Sequence, residues 1–218
     1  MNKTTKIKIC GLKRTEDIRI VNHYLPDYCG FIVNFPKSHR SLTIEEVKNL
    51  AVKVDRTHIK VVGVFVNEPL SHVAELLNDG TLDLAQLHGN ETEQYIKELK
   101  NLTEKKIIKA FAVKDAQSLK TANKSSADYI LLDQGQGSGM TFDWSILKDE
   151  KAIHLKESFG VLTRECFLAG GLNAENIEEA IREFHPYAVD LSSAVETDRV
   201  KDEKKIREII EIVRKCRY

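Results

Sequence analysis

The chain has 218 residues, 42% of them hydrophobic, which is enough for one sizeable core and short for two domains. Lysine plus arginine and aspartate plus glutamate balance at 33 each, so no charge excess draws the chain to nucleic acid or to an anionic membrane. No apolar run, at the N-terminus or elsewhere, approaches the roughly 20 residues of a membrane span.

Short β-rich runs alternate with amphipathic charged segments. Lys6-Ile7-Lys8-Ile9-Cys10-Gly11-Leu12 reads as a strand over Ile7–Cys10, ending on a cysteine and turning at once on Gly11. A helix follows from about Thr15, with Thr15 as N-cap and Glu16 and Asp17 in its first turn. Tyr28–Val33 is the second strand, and Thr43-Ile44-Glu45-Glu46 opens a helix with a capping-box pattern. Ile59–Val66 is almost continuously apolar, as in a strand buried on both faces. A helix over Pro69–Leu77 follows it. Leu82–Leu87 and Thr92–Leu99 form the fourth strand and helix, Lys106–Ala112 and Ala116–Ala122 the fifth pair. Tyr129–Asp133 is the sixth strand, followed by the glycine-rich stretch Gln134–Gly139 and a long segment, Lys148–Arg164. Cys166–Ala169 is the seventh, ending in Gly170-Gly171, with a helix capped by Asn173 running to Glu183. Ala188–Leu191 is the eighth, ending in Ser192-Ser193, and Glu203–Lys215 is the last helix.

Eight strand–helix units in about 200 residues predict the α/β class, as one (β/α)₈ TIM barrel of eight parallel strands over residues 1–218. A doubly wound open sheet is the structural rival, but it places its glycine fingerprint after the first strand. Here the glycine-rich turns follow strands six and seven, with Ser192-Ser193 after strand eight. The four cysteines, Cys10, Cys29, Cys166 and Cys216, are widely spaced and form no CxxC pair. That argues against zinc and against a disulfide scaffold, and suits a reducing cytoplasm.

Parallel strands of a barrel all end on one side, so the residues that close them share a rim, where barrel enzymes do their chemistry. Cys10 closes strand one and Asp133 strand six. Alone, Cys10 reads first as a small buried hydrophobe, and Asp133 equally as a cap or ion-pair partner. Together they form a candidate acid/base pair. Arg40, in the loop after strand two, offers a guanidinium that could hold a carboxylate in two hydrogen bonds, or could simply be solvated. Gln86 and His88 end strand four, and His88 reads as a proton carrier or as a hydrogen-bonded rim histidine. Asp190 on strand eight could meet a sugar hydroxyl or be structural, while Trp144 suits packing of a helix start. Gly170-Gly171 and Ser192-Ser193 pair two turns at the positions where barrels commonly bind phosphate.

Several stretches occur in the order and spacing of one family. They are Lys8-Ile9-Cys10-Gly11-Leu12, Gln86-Leu87-His88-Gly89, Leu131-Leu132-Asp133, Thr141-Phe142-Asp143-Trp144, Leu168-Ala169-Gly170-Gly171-Leu172-Asn173 and Val189-Asp190-Leu191-Ser192-Ser193. The chain resembles, over essentially its whole length, the phosphoribosylanthranilate isomerases of tryptophan biosynthesis. By that resemblance Cys10 matches the general base, Asp133 the general acid and Arg40 the ligand of the anthranilate carboxylate. Gln86, His88 and Asp190 match substrate-side positions. Gly137, Ser138, Gly139, Gly170, Gly171, Ser192, Ser193 and Ala194 match the phosphate site. Two positions depart from the family: Ala194 replaces a glycine, which would reshape a phosphate cup needing positive φ, and Ser138 stands where the family usually has threonine.

The resemblance implies an Amadori rearrangement of a phosphorylated sugar–anthranilate, with no metal and no redox cofactor, by a monomer or homodimer. Its thiolate base needs help near neutral pH, because a free thiol has a pKa of about 8.5. Lys8 shares the inward side of Cys10 but one layer lower, and the residues leave open which group assists. The related histidine-pathway isomerase is the enzymatic rival, but strand one ends in cysteine, not aspartate. A non-catalytic barrel that binds a phosphorylated ligand is the rival from another class.

Overall fold

In the computed structural model, residues 4–113, 116–133 and 165–216 are described. Eight parallel strands run in chain order: β1 (Lys6–Cys10), β2 (Tyr28–Val33), β3 (Lys60–Phe65), β4 (Leu84–Leu87), β5 (Lys106–Ala112), β6 (Tyr129–Asp133), β7 (Cys166–Leu168) and β8 (Ala188–Leu191). Each pairs with the next, and β1 pairs with both β2 and β8, so the sheet closes into a barrel. The helices between are α1 (Thr15–Tyr24), α2 (Ile44–Ala51), α3 (Leu70–Asn78), α4 (Glu93–Leu102), α5 (Ala116–Asn123), α6 (Ile177–Phe184) and α7 (Glu203–Lys215). Two additions escaped the sequence reading. Ser41–Leu42 lies parallel to β2, and Glu196–Thr197 forms an antiparallel hairpin with Val200–Lys201, turning at Asp198 and Arg199. The glycine-rich stretch with Gly137, Ser138 and Gly139, Trp144, and the segment 148–164 lie outside the described residues.

Side-chain alternation decides what each strand offers the barrel. Partners in a parallel ladder share a face. Lys8 registers with Tyr28 on β2 and Asp190 on β8, and Cys10 with Gly30. Lys8, Cys10, Gly30 and Asp190 therefore point inward, while Ile7 and Ile9 point out. The outward set, including Ile9, Phe31, Val61, Phe65, Leu87 and Val189, packs against Val21, Val47, Leu77, Ile96 and Ile209 of the helices. Each such fully buried side chain contributes roughly 1.5–3 kcal/mol.

Inside, Tyr28, Tyr129, Phe167 and Tyr187 form an aromatic floor, with ring centroids 5.3 to 5.7 Å apart. The Tyr28 and Tyr187 hydroxyls lie 2.8 Å apart, and the Lys6 ammonium sits over both rings. Val62, Leu84, Ile108 and Leu131 belong to the same inner cluster.

Two helix starts differ from expectation. Thr15 is the first helical residue of α1, not its cap. The buried Asp17 carboxylate takes the capping role, accepting from the Lys13 and Arg14 amides at 2.9 and 3.1 Å. Asn173 caps a turn one step earlier: its side-chain oxygen accepts from the Glu175 and Asn176 amides, and α6 begins at Ile177. The capping box at Thr43 and Glu46 forms as read.

Candidate active site

At the C-terminal mouth, Cys10 and Arg40 meet Asp190 and Ser192 on the β8–β1–β2 side, while Gln86, His88 and Asp133 stand on the β4–β6 side.

On the first side the surprise is Lys8. Its side chain is fully buried, and its ammonium donates to Asp190 Oδ2 at 2.8 Å. A lysine stem spans a whole layer, so the charged end rises to Cys10. A methyl built on Gly30 would lie 2.8 Å from Cys10 Sγ and 3.3 Å from Lys8 Nζ, so the glycine leaves the space in which the two groups approach. Burial alone would lower the Lys8 ammonium. The Asp190 carboxylate and the Cys10 sulfur more than offset it and hold it above the ordinary lysine value. For Cys10, burial pushes the thiol up. Lys8 pulls it down, Asp190 pushes it up and Lys201 pulls it down, and burial prevails. Asp190 thus serves Lys8 through one oxygen, while its Oδ1 is buried without a hydrogen-bond partner among the described residues.

Arg40 is a fixed cation, but it has a carboxylate already. Its Nε and Nη2 donate to the two oxygens of Glu196 at 2.7 and 2.6 Å. Lys201 donates to the same carboxylate at 2.7 Å and to the Ser192 carbonyl at 2.9 Å. Burial would raise the Glu196 carboxyl, but hydrogen bonds from Arg40 and Lys201 hold it down at about 2. Burial also lowers Lys201, which Glu196 and Cys10 only partly restore. The hairpin carrying Glu196 and Lys201 had no signal in the sequence beyond its place after Ser192-Ser193.

Across the mouth, Gln86, His88 and Asp133 form a chain. The Gln86 side-chain amide donates to His88 Nδ1 at 2.9 Å. The ring proton then belongs on Nε2, which lies 3.3 Å from Asp133 Oδ2. Gln86 therefore sets the tautomer that faces the acid. Gln86 Oε1, like Asp190 Oδ1, is buried without a partner among the described residues.

The two turns expected to hold phosphate follow neighbouring strands. Gly170 and Gly171 both have positive φ, at 85° and 67°, a pair of backbone conformations that side chains oppose. Ser193–Val195 forms a 3₁₀ turn. Ala194 within it is not one of the positive-φ residues, so the expected strain from its Cβ is absent. Ser192 spends its hydroxyl on the Cys10 carbonyl at 3.1 Å. Gly137, Ser138 and Gly139 cannot be placed against these turns, lying outside the described residues. Among the described residues no group of three His, Cys, Asp or Glu side chains is arranged for a metal, and no helix is long and apolar enough to cross a membrane.

Comparison with known proteins gives one answer. The family profile described as N-(5'phosphoribosyl)anthranilate (PRA) isomerase matches residues 7–212. A relative named N-(5'-phosphoribosyl)anthranilate isomerase, from Thermoanaerobacter sp. (strain X514), is 42% identical over 217 residues, covering 97% of this chain and 99% of that protein. The crystal structure of phosphoribosyl anthranilate isomerase from Thermotoga maritima superposes with a TM-score of 0.81 at 32% identity, covering 96% of this chain and 98% of that one. A second, in complex with reduced 1-(o-carboxyphenylamino)-1-deoxyribulose 5-phosphate, gives 0.79 at 31% identity with the same coverage. A closed parallel barrel with these residues around its mouth, matched over nearly its full length by such relatives, belongs to the phosphoribosylanthranilate isomerase family, the isomerases of tryptophan biosynthesis.

Proposed function

We propose that Asp133 and Cys10 carry out the Amadori rearrangement of N-(5'-phosphoribosyl)anthranilate as general acid and general base. The observation that carries this reading is their placement: a carboxyl beside His88 and a thiol beside the Lys8 ammonium face one mouth from opposite sides. In the first step Asp133 gives its proton to the furanose ring oxygen. The C1'–O bond breaks, and the nitrogen lone pair forms the C=N bond of a protonated Schiff base. His88 Nε2–H then stabilises the Asp133 carboxylate left behind. In the second step the Cys10 thiolate takes the C2' proton. The C–H electron pair forms the C1'=C2' bond, and the C=N electrons return to nitrogen, which is the electron sink. The enolamine then tautomerises to 1-(2-carboxyphenylamino)-1-deoxyribulose 5-phosphate.

Arg40 binds the anthranilate carboxylate. Glu196 engages the Nε–Nη2 edge of the guanidinium, which leaves the Nη1 side for the substrate. Glu196 thereby acts as a brace. The turns at Gly170-Gly171 and Ser193–Val195 take the phosphate, for which two left-handed glycines side by side allow close backbone approach. Four unpaired, buried thiols suit a reducing cytoplasm, and we assign the activity there.

The test is kcat per folded molecule for Cys10→Ser and Asp133→Asn. A general acid or base contributes about 10² to 10⁴-fold, so each variant loses that much while KM stays within a few-fold. Folding is checked by circular dichroism. Turnover near wild type in either folded variant removes that residue from the mechanism.

A further inference from the structure

The buried Lys8–Asp190 pair moves no proton in the acid/base scheme above, yet it lies directly beneath the thiol. We propose that Lys8 is a positioning residue that supplies the cation for the Cys10 thiolate, its ammonium suspended between that sulfur and the Asp190 carboxylate. The proposal rests on the reading of Cys10 as the base.

Three observations carry it. First, the ammonium is fixed: Asp190 holds it at 2.8 Å, and the side chain is fully buried. Second, the approach to sulfur has a built space. Gly30 is the residue opposite Cys10 in the ladder, and a Cβ there would lie 2.8 Å from the sulfur and 3.3 Å from the ammonium, crowding both. Third, a buried lysine with one carboxylate is a neutral pair, so neutrality alone gives no reason to direct it at a thiol. The geometry does give one, because the ammonium has three protons and the carboxylate takes one of them.

The charges balance as follows. In the resting site Cys10 is a thiol, Lys8 an ammonium and Asp190 a carboxylate. When the S–H bond breaks, the proton passes to water at the mouth and the electron pair stays on sulfur. The new anion then shares the ammonium with Asp190. Asp190 anchors the cation and at the same time competes for it. The other charged group near the sulfur is Lys201, with Glu196 and Arg40 behind it, while Asp133 and His88 stand across the mouth. Cys29 stands behind it on β2. Lys201 favours the thiolate from the hairpin side but is itself tied to Glu196 and the Ser192 carbonyl, so Lys8 is the cation aimed at the sulfur.

The experiment reads the thiol directly. The full-length protein is alkylated with iodoacetamide between pH 6 and 10, and the modified Cys10 peptide is quantified by mass spectrometry. Lys8→Met retains the length and apolar stem of the lysine. It should slow Cys10 alkylation at pH 7.5 at least tenfold and move its pH midpoint up by a unit or more. Asp190→Asn removes the competitor, so the midpoint should move down and alkylation speed up. Opposite signs from two neighbouring buried substitutions are what a merely structural pair cannot give, since loosened packing would expose the thiol in both. An unchanged midpoint in Lys8→Met overturns the proposal, as does a shift of the same sign in both variants. Should Lys8→Met fail to fold, Gly30→Ala, whose added methyl crowds both the sulfur and the ammonium, is read in the same assay and must also raise the midpoint. Full turnover in Cys10→Ser would defeat the base assignment instead and leave the alkylation result standing, so the two failures are distinguishable.

Discussion

Two glycines on neighbouring inner and outer faces separate chemistry from stability at the scale of a single residue. A Cβ on Gly30 would press on Cys10 Sγ and the end of Lys8, whereas one on Gly63 would overlap Leu82 Cδ1 and crowd the Phe65 ring in the outer core. Forcing an extra carbon into a packed core costs about 1–3 kcal/mol. Gly63→Ala should therefore lower the melting midpoint by several degrees while turnover per folded molecule stays within twofold. Gly30→Ala should do the reverse, cutting kcat at least tenfold with a smaller change in melting. Calorimetry and steady-state kinetics on both proteins check this, and equal losses of activity would show that Gly30 holds no special place. The residues at issue were unequally visible in the sequence. Cys10, Asp133, His88 and Asp190 could be picked out because each sits at or near the end of an apolar run. Gly30 looked like any strand glycine, and Lys8, though on the inward side, like a charge one layer too low to reach Cys10. Their roles depend on which residues lie opposite, and that register is fixed by pairing between strands distant in sequence.

Elements add a different kind of constraint. Lys109 faces outward from β5, yet it is buried, and its ammonium donates to the Leu87 and Gly89 carbonyls and to Glu91 at 3.0 Å. Glu91 in turn accepts from the Asn67 amide at 2.7 Å and the Gly89 amide at 2.9 Å. One ion pair thus ties the end of β4, and with it the loop that carries His88, to the loop after β3. Breaking a buried pair from one side leaves the other charge uncompensated, at about 3–5 kcal/mol. Lys109→Met should lower the unfolding free energy measured in urea by that amount, and Lys109→Met with Glu91→Leu should recover part of it. If the double variant is no more stable than the single, the pair is not an interacting unit. The strands themselves were legible to within two residues, and the described helices in place and number with ends up to four residues off, because periodicity and apolar runs report burial directly. The helix starts at Thr15 and Asn173 were misplaced for different reasons: Asp17 takes the capping role expected of Thr15, and Asn173 does accept the amides but caps a turn that precedes the helix.

On the scale of the whole molecule, the barrel closes where β1 meets β2 and β8, and the Arg40–Glu196–Lys201 cluster spans that seam on the mouth side. Glu196 is held at about 2 against an ordinary 4.5. A carboxyl lowered in the folded state adds stability that is complete above its unfolded value and lost as the pH falls through its folded value. The contribution, of about 3 kcal/mol at neutral pH, should therefore disappear between pH 4.5 and 2. Urea unfolding across that range should show a steeper loss of stability for the wild type than for Glu196→Gln, and parallel curves would assign the acid sensitivity to other groups. This seam was invisible in the sequence, since nothing in Arg40 or Glu196 announces a partner about 150 residues away.

The open space at Gly30 has an evolutionary consequence. A single base change separates a glycine codon from an alanine codon. In a duplicated gene that one change would leave the barrel, its aromatic floor and its Gly170-Gly171 turn in place while crowding the Cys10 thiol and the end of Lys8. On the proposed role of Cys10, the step from catalyst to a barrel that only binds is as short as a coding sequence allows.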